Sequence, residues 1–254
     1  MTIIIGRREF ISLLAGATAR PLTTSAERQF SRVLYFTHSA GYRHEVITLS
    51  QAVLKHIGET SGMFVVTATE DISEFTIANL QRYDAVMFYT TGELPMSNDQ
   101  KSAMLDFVRS GHGFVGIHSA TDTFYTWPDY LKLIGGYFDG HPWHQTAGIE
   151  IVDPSNPLVS FLGTSLKIDD EIYQIRDFDD RGSQVLLRLH EASVDLNGAG
   201  VRRRSYGWPL AWTRSYGQGR VFYIALGHEG AVWQDSRYQR ALRNAILWTT
   251  RRSF

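Results

Sequence analysis

Five residues at 113–117, Gly-Phe-Val-Gly-Ile, follow a helical pattern and run straight into His118, Ser119, Thr121 and Asp122. A short apolar run with no polar alternation reads as a strand covered on both faces, the situation of a parallel strand between layers of helix. The run therefore demands partner strands separated from it by helices. It also places four polar side chains at a strand's carboxyl end, the edge where open α/β sheets bind ligands.

The rest of the chain meets that demand. Residues 32–37, 63–67 and 84–89 read as strands, and residues 47–57 carry apolar positions at helical spacing. A short segment at 77–81 is anchored by Leu80. Ser97 with Gln100 three residues on is a helix-start signal for a helix through Val108. Beyond residue 143 the pattern changes to strands at 146–152, 166–175, 185–189, 209–215 and 220–226, joined by short polar turns, and a helix at 235–250 closes the chain. The expectation is one α/β domain over 32–250: a doubly wound, mostly parallel sheet flanked by helices, with extra, partly antiparallel strands in the second half.

Arg7-Arg8-Glu9-Phe10-Ile11 followed by SLLAGATA has the layout of a bacterial twin-arginine export signal, which assigns residues 1–26 to targeting and the remainder to the periplasm, with a cytosolic location as the alternative. Its apolar stretch is far short of a membrane span, so no membrane association is expected after the signal is removed. The net charge of −1 and the lack of any basic block beyond Arg202-Arg203-Arg204 argue against a nucleic-acid partner. With zero cysteines in 254 residues, disulfides, thiolate metal sites and a cysteine nucleophile are all excluded.

Six of the nine histidines, His38, His44, His118, His141, His144 and His228, fall in loops expected to gather at one end of the sheet. Imidazoles collected there suit proton transfer or a divalent metal, with His44, His118 and His228 as the metal set. His118 and His228 stand at strand ends and are the leading catalytic candidates. Asp122, four residues after His118, either supports its imidazole or caps the next segment. Glu171 lies in an acidic cluster within a strand pattern and either reaches the site or sits in a solvated turn. Tyr42, Tyr125, Trp127, Trp143 and Trp233 offer flat faces for a sugar ring, Trp143 foremost because loop residues surround it.

The motifs FTHSAGYRH at 36–44, GFVGIHSATDTFYTWPDYLKLIGGYFDGHPWH at 113–144, DEIYQI at 170–175 and PLAWTRSYGQGRVFYIALGHEGAVW at 209–233 give a further lead. Through them the sequence resembles the ThuA-like (trehalose utilisation) family, whose fold is similar to that of class I glutamine amidotransferases, a flavodoxin-like arrangement. The resemblance implies that Gly116-Ile117-His118-Ser119-Ala120 occupies the place of the amidotransferase nucleophile elbow, with histidine where the cysteine would stand, and that His228-Glu229 corresponds to the second catalytic element. Glutamine hydrolysis is then excluded, because imidazole is a poor substitute for a thiolate against an amide. Ser119 is one residue off the apex, poorly placed for a nucleophile. The family also implies a carbohydrate role near trehalose or a similar disaccharide, with a 3-keto sugar as the small-molecule substrate. On that reading His228 is a base oriented by Glu229, with His118, His44 and Asp122 assisting and His38, Tyr42, Ser119, Tyr125, Trp127, His141, Trp143 and Glu171 lining the pocket. A non-catalytic sugar-binding protein, a partner subunit of a sugar oxidoreductase and a homo-oligomer stay open as alternatives.

Overall fold

The computed structural model describes residues 30–253; the export signal read at 1–26 lies outside them. In chain order the elements are β1 (Ser31–Phe36), α1 (Ile47–Ser61), β2 (Phe64–Thr69), α2 (Ile77–Leu80), β3 (Ala85–Phe88), α3 (Asn98–Arg109), β4 (Gly113–Ile117), α4 (Pro128–Ile134), β5 (Tyr137–Phe138), β6 (Trp143–Ile151), β7 (Ser165–Ile172), β8 (Ile175–Arg176), β9 (Ser183–Leu189), β10 (Pro209–Tyr216), β11 (Gly219–Ile224), α5 (Gly230–Gln234) and α6 (Ser236–Thr249).

Nine strands form one sheet in the order β2-β1-β3-β4-β11-β10-β9-β6-β7. From β2 to β11 every pairing is parallel, and from β11 to β7 every pairing is antiparallel. The chemistry of the strands explains the division. β3 and β4 are buried at every position, as helices on both faces require. In β6 exposed residues interrupt buried ones, as in a sheet with one wet face. The helix over Asn98–Arg109 begins with the capping box that Ser97 and Gln100 announce: the Gln100 N–H donates to Ser97 Oγ, and the Ser97 N–H donates to Gln100 Oε1. Among the described residues no helix is long and apolar enough to cross a membrane.

Two features aim the fold at one spot. The first is the turn after β4. His118 takes φ 44° and opens a 3-10 turn over His118–Thr121, so the chain reverses sharply and projects the imidazole from the sheet edge. Such a turn needs small neighbours: a Cβ on Gly116 would stand 3.0 Å from Tyr223 Cδ2 and 3.3 Å from Ala120 Cβ. The second is curvature. β7 lies four places from β11, about 19 Å away in a flat sheet, yet Asp170 of β7 hydrogen-bonds the loop leaving β11. The antiparallel half therefore curls back over the carboxyl ends of the parallel strands.

Candidate functional site

Three loops and one strand end converge above β4 and β11, whose last residues Ile117 and Ile224 are paired. The loop after β1 brings Tyr42 and His44. It is fastened to the exit of β3, where the Ala40 and Gly41 N–H groups donate to the Thr91 carbonyl and Thr91 Oγ1 donates to the Tyr42 carbonyl. The approach is so close that only glycine fits opposite: Gly92 has φ 75°, and a Cβ there would lie 2.7 Å from the Gly41 nitrogen. The loop after β11 brings His228 and Glu229, and the end of β7 brings Glu171.

The buried His118 has a defined tautomer. Its Nδ1 lies 2.6 Å from the Ala225 carbonyl oxygen, which can only accept, so Nδ1 carries the hydrogen and the lone pair of the neutral ring sits on Nε2. Tyr173 donates its hydroxyl to Nε2 at 2.8 Å, and burial holds that phenol well above its ordinary pKa, hence protonated. Glu171 Oε2 stands 3.6 Å from the same nitrogen and 3.0 Å from His228 Nδ1, and Oε1 stands 3.6 Å from His141 Nδ1. Burial alone would raise the Glu171 carboxyl and lower the His228 imidazole. The contacts of Glu171 with His118 and His228 outweigh it, so Glu171 is held well below the ordinary carboxylate range, and the Glu171 contact holds His228 above its ordinary value.

His44 completes the cluster, its ring 4.9 Å from that of His118 and 5.1 Å from that of His228. Burial, then the neighbouring imidazoles, push its pKa down to about 3, so the ring is neutral, and its buried Nδ1 has no hydrogen-bond partner. His44, His118, Glu171 and His228 each present one donor atom, and the four atoms lie within 4.8 Å of one another. Three imidazoles and one carboxylate suit a borderline divalent transition metal such as zinc rather than magnesium or calcium, which prefer all-oxygen shells. A bound metal ion would give the buried His44 nitrogen a partner.

An open cleft of about 390 Å³ lies over the cluster. Its walls add Tyr42, Asp122, Phe138, His141 and Tyr173 to the donors. Burial raises the Asp122 carboxyl, opposed by the Tyr125 hydroxyl that donates to Oδ1 at 2.6 Å. Asp122 ends the 3-10 turn rather than capping the next segment with its side chain.

Two residues that sequence reasoning passed over carry structural weight. Tyr173 was invisible because nothing in a strand pattern marks which tyrosine meets a histidine. Asp170, fully buried, accepts from the Gly227 N–H at 2.6 Å through Oδ2 and from the His228 and Glu229 N–H groups at 3.0 Å each through Oδ1. The acidic triplet 169–171 was a signal, since a charge inside a strand pattern needs buried partners. Asp170→Ala strands three backbone donors, and should cost about 3 kcal/mol in urea unfolding.

Several expected site residues lie elsewhere. Trp143 is 4% exposed, donates its indole N–H to the Asp195 carbonyl and packs on Trp208; it is a core residue because strand β6 begins there and turns it inward. Trp127 packs against Phe124 and Tyr130 with Lys101 over its face, and it precedes helix α4, which the sequence reading missed despite Pro128 and Gly135 at its ends. His38 lies against the Glu70 carbonyl, outside the cleft. Ser119 is buried beneath the turn, and Tyr125 reaches the cleft only through Asp122. Glu229 is not the carboxylate that holds His228: its Oε1 is 2.8 Å from His144 Nε2 and 4.0 Å from His228 Nε2, and Glu171 takes that place.

The family model described as trehalose utilisation (ThuA) matches residues 32–249. The chain is a member of the ThuA family. Among solved structures, a ThuA-like protein from Bacteroides uniformis is 23% identical with a TM-score of 0.74, covering 91% of this chain and 95% of that one. A second ThuA-like protein, from Parabacteroides merdae, is 21% identical with a TM-score of 0.69 and coverages of 87% and 90%. A cytoplasmic protein from Salmonella typhimurium shares the fold at 14% identity and a TM-score of 0.61, covering 86% and 99%. No curated protein matches the chain. ThuA membership gives the protein a carbohydrate-related setting.

Proposed function

We propose that the protein is an enzyme acting on a 3-keto sugar, with a divalent metal held by His44, His118, Glu171 and His228. The observation that carries the reading is the four-donor cluster at the floor of a sugar-sized cleft. Such a metal would act as a Lewis acid on the ketone oxygen, making the neighbouring C–H acidic.

The protein's own residues then divide the work. Asp122, on the cleft wall with its carboxyl raised by burial, takes the proton beside the ketone, the step shared by elimination and isomerisation. Tyr125 orients it through the 2.6 Å hydrogen bond. His228, the base expected from sequence, serves in this reading as a metal ligand instead. Tyr42 and Phe138 offer ring faces to the sugar. The ketone itself must come from an oxidation at a sugar carbon, which makes a sugar oxidoreductase the natural supplier of substrate.

The test is to incubate metal-loaded protein with 3-keto-trehalose, unoxidised trehalose and 3-keto-trehalose plus chelator, following each sugar by NMR. Loss of the keto sugar alone, abolished by chelator, is the expected result. Keto sugar that persists with the metal-loaded protein overturns the proposal.

A further inference from the structure

The wall of the cleft that carries Phe138 and His141 stands apart from the main sheet. Its strand, β5, is two residues long and, among the described residues, pairs with β8 alone in a separate two-stranded sheet. Gly136 precedes it, and Gly140, at φ 104°, lies between it and His141. A two-stranded ladder this short is marginal in water. Something else must hold the wall in place.

That hold comes from the loop between β9 and β10, which contains the basic run Arg202-Arg203-Arg204. Asp139, its side chain only 12% exposed, is clasped by two of these arginines. Arg202 Nη1 donates to Asp139 Oδ1 at 2.5 Å and to the Asp139 carbonyl at 2.6 Å, and Arg204 Nη2 donates to Oδ2 at 2.8 Å. Such charge-assisted bonds are about twice as strong as neutral ones. The buried Gln174 joins the two segments. Its N–H donates to the Gly140 carbonyl and its carbonyl accepts from the Asp139 N–H, both at 2.8 Å. Its side-chain amide donates to the Gly200 carbonyl at 3.0 Å and accepts from the Arg202 N–H at 2.5 Å. Arg203 is directed elsewhere, to the Leu196 carbonyl at 3.5 Å.

The wall meets the site through ring faces. Phe138 packs on Tyr173 with centroids 4.4 Å apart, and His141 stacks on Phe138 at 5.9 Å. The four metal donors and Asp122 come from other elements. Loosening the wall therefore leaves the reacting groups where they are and adds the cost of ordering the wall to ligand binding.

We infer that Asp139 is a positioning residue: clasped by Arg202 and Arg204, it fixes the wall at 138–141, and the arginine loop thereby sets how tightly the cleft holds its ligand. The part of this that concerns binding rests on the function proposed above, and the clasp itself does not.

The experiment compares zinc-loaded wild type with Asp139→Asn, with Arg202→Ala/Arg204→Ala, with the three substitutions combined, and with Arg203→Ala as the control. Amide hydrogen exchange at residues 137–141, measured without sugar, should quicken about fivefold or more in the first three variants and stay within about twofold in the control. For 3-keto-trehalose the same three should raise KM about tenfold and lower kcat less than about threefold. Zinc affinity should stay within about twofold throughout, because none of the donors sits on the wall. The combined variant should be no worse than Asp139→Asn, since all three remove one interaction. Exchange that is unchanged in Asp139→Asn, or equally fast in Arg203→Ala, overturns the clasp. Faster exchange with KM unmoved, the pattern of a merely structural contact, overturns its part in ligand binding, as does a loss of zinc affinity in step with KM. If wild type neither binds nor turns over the keto sugar, the proposed function fails, and the exchange rates alone decide for or against the clasp.

Discussion

Glu171→Gln should lower kcat/KM on the keto sugar about a thousandfold, equivalent to about 4 kcal/mol, with little change in fold. The amide keeps the shape of the side chain and loses the charge that faces His118, His228 and His141 at 3.6, 3.0 and 3.6 Å. Stability should move far less, because removing a buried carboxylate also removes its desolvation cost. The pH dependence of the difference carries a sign. Glu171 has a depressed pKa, so its contribution is present above the ordinary value of 4.5 and fades as pH falls through the folded-state value. His228 has a raised pKa, so its contribution is present below the ordinary 6.5 and is lost as pH rises through the folded-state value. Both shifts include the Glu171–His228 pair, which is therefore at full strength between roughly pH 4.5 and 6.5. Thermal melts of the chelated protein should show wild type gaining on the variant at pH 5.5 and converging with it at pH 9. A gap that widens toward pH 9 would rule out the pair.

The parallel half of the fold was legible because its signals are local. Residues 113–117 form β4 with the expected bounds, and Ser97 and Gln100 make the expected capping box. The meeting of His44, His118 and His228 also follows from local signals, since each leaves a parallel strand at the same edge. Glu171 belongs to another class. Its arrival depends on how the antiparallel half curls over the sheet, and curvature is set by the sum of many strand twists rather than by any motif. Asp170 and Tyr173 were hidden for the same reason. Trp143 was misplaced because glycine, proline and histidine around it read as loop, whereas pairing with Ile172 of β7 turns the position into the first residue of a strand and buries it.

The same geometry predicts how the cluster takes up metal. Affinity for zinc should rise about tenfold per pH unit below the folded pKa of His228 and flatten above it, a slope of one proton. His44 is already neutral at any such pH, with its pKa pushed down to about 3, and Glu171 is already ionised. His118 has its hydrogen fixed on Nδ1 by the Ala225 carbonyl, leaving Nε2 for a metal. His228, held above its ordinary value, is the ligand that must surrender a proton, and the Tyr173 hydroxyl is the group that must release His118 Nε2. Tyr173→Phe removes that competitor and should tighten zinc binding about fivefold, the worth of one hydrogen bond of about 1 kcal/mol. Titrations of EDTA-treated, dialysed protein between pH 5.5 and 8.5, run in buffers of different ionisation enthalpy, count the released protons directly. A slope of two protons would mean that a second imidazole is charged in the metal-free protein, and a pH-independent affinity would place the metal away from these four residues.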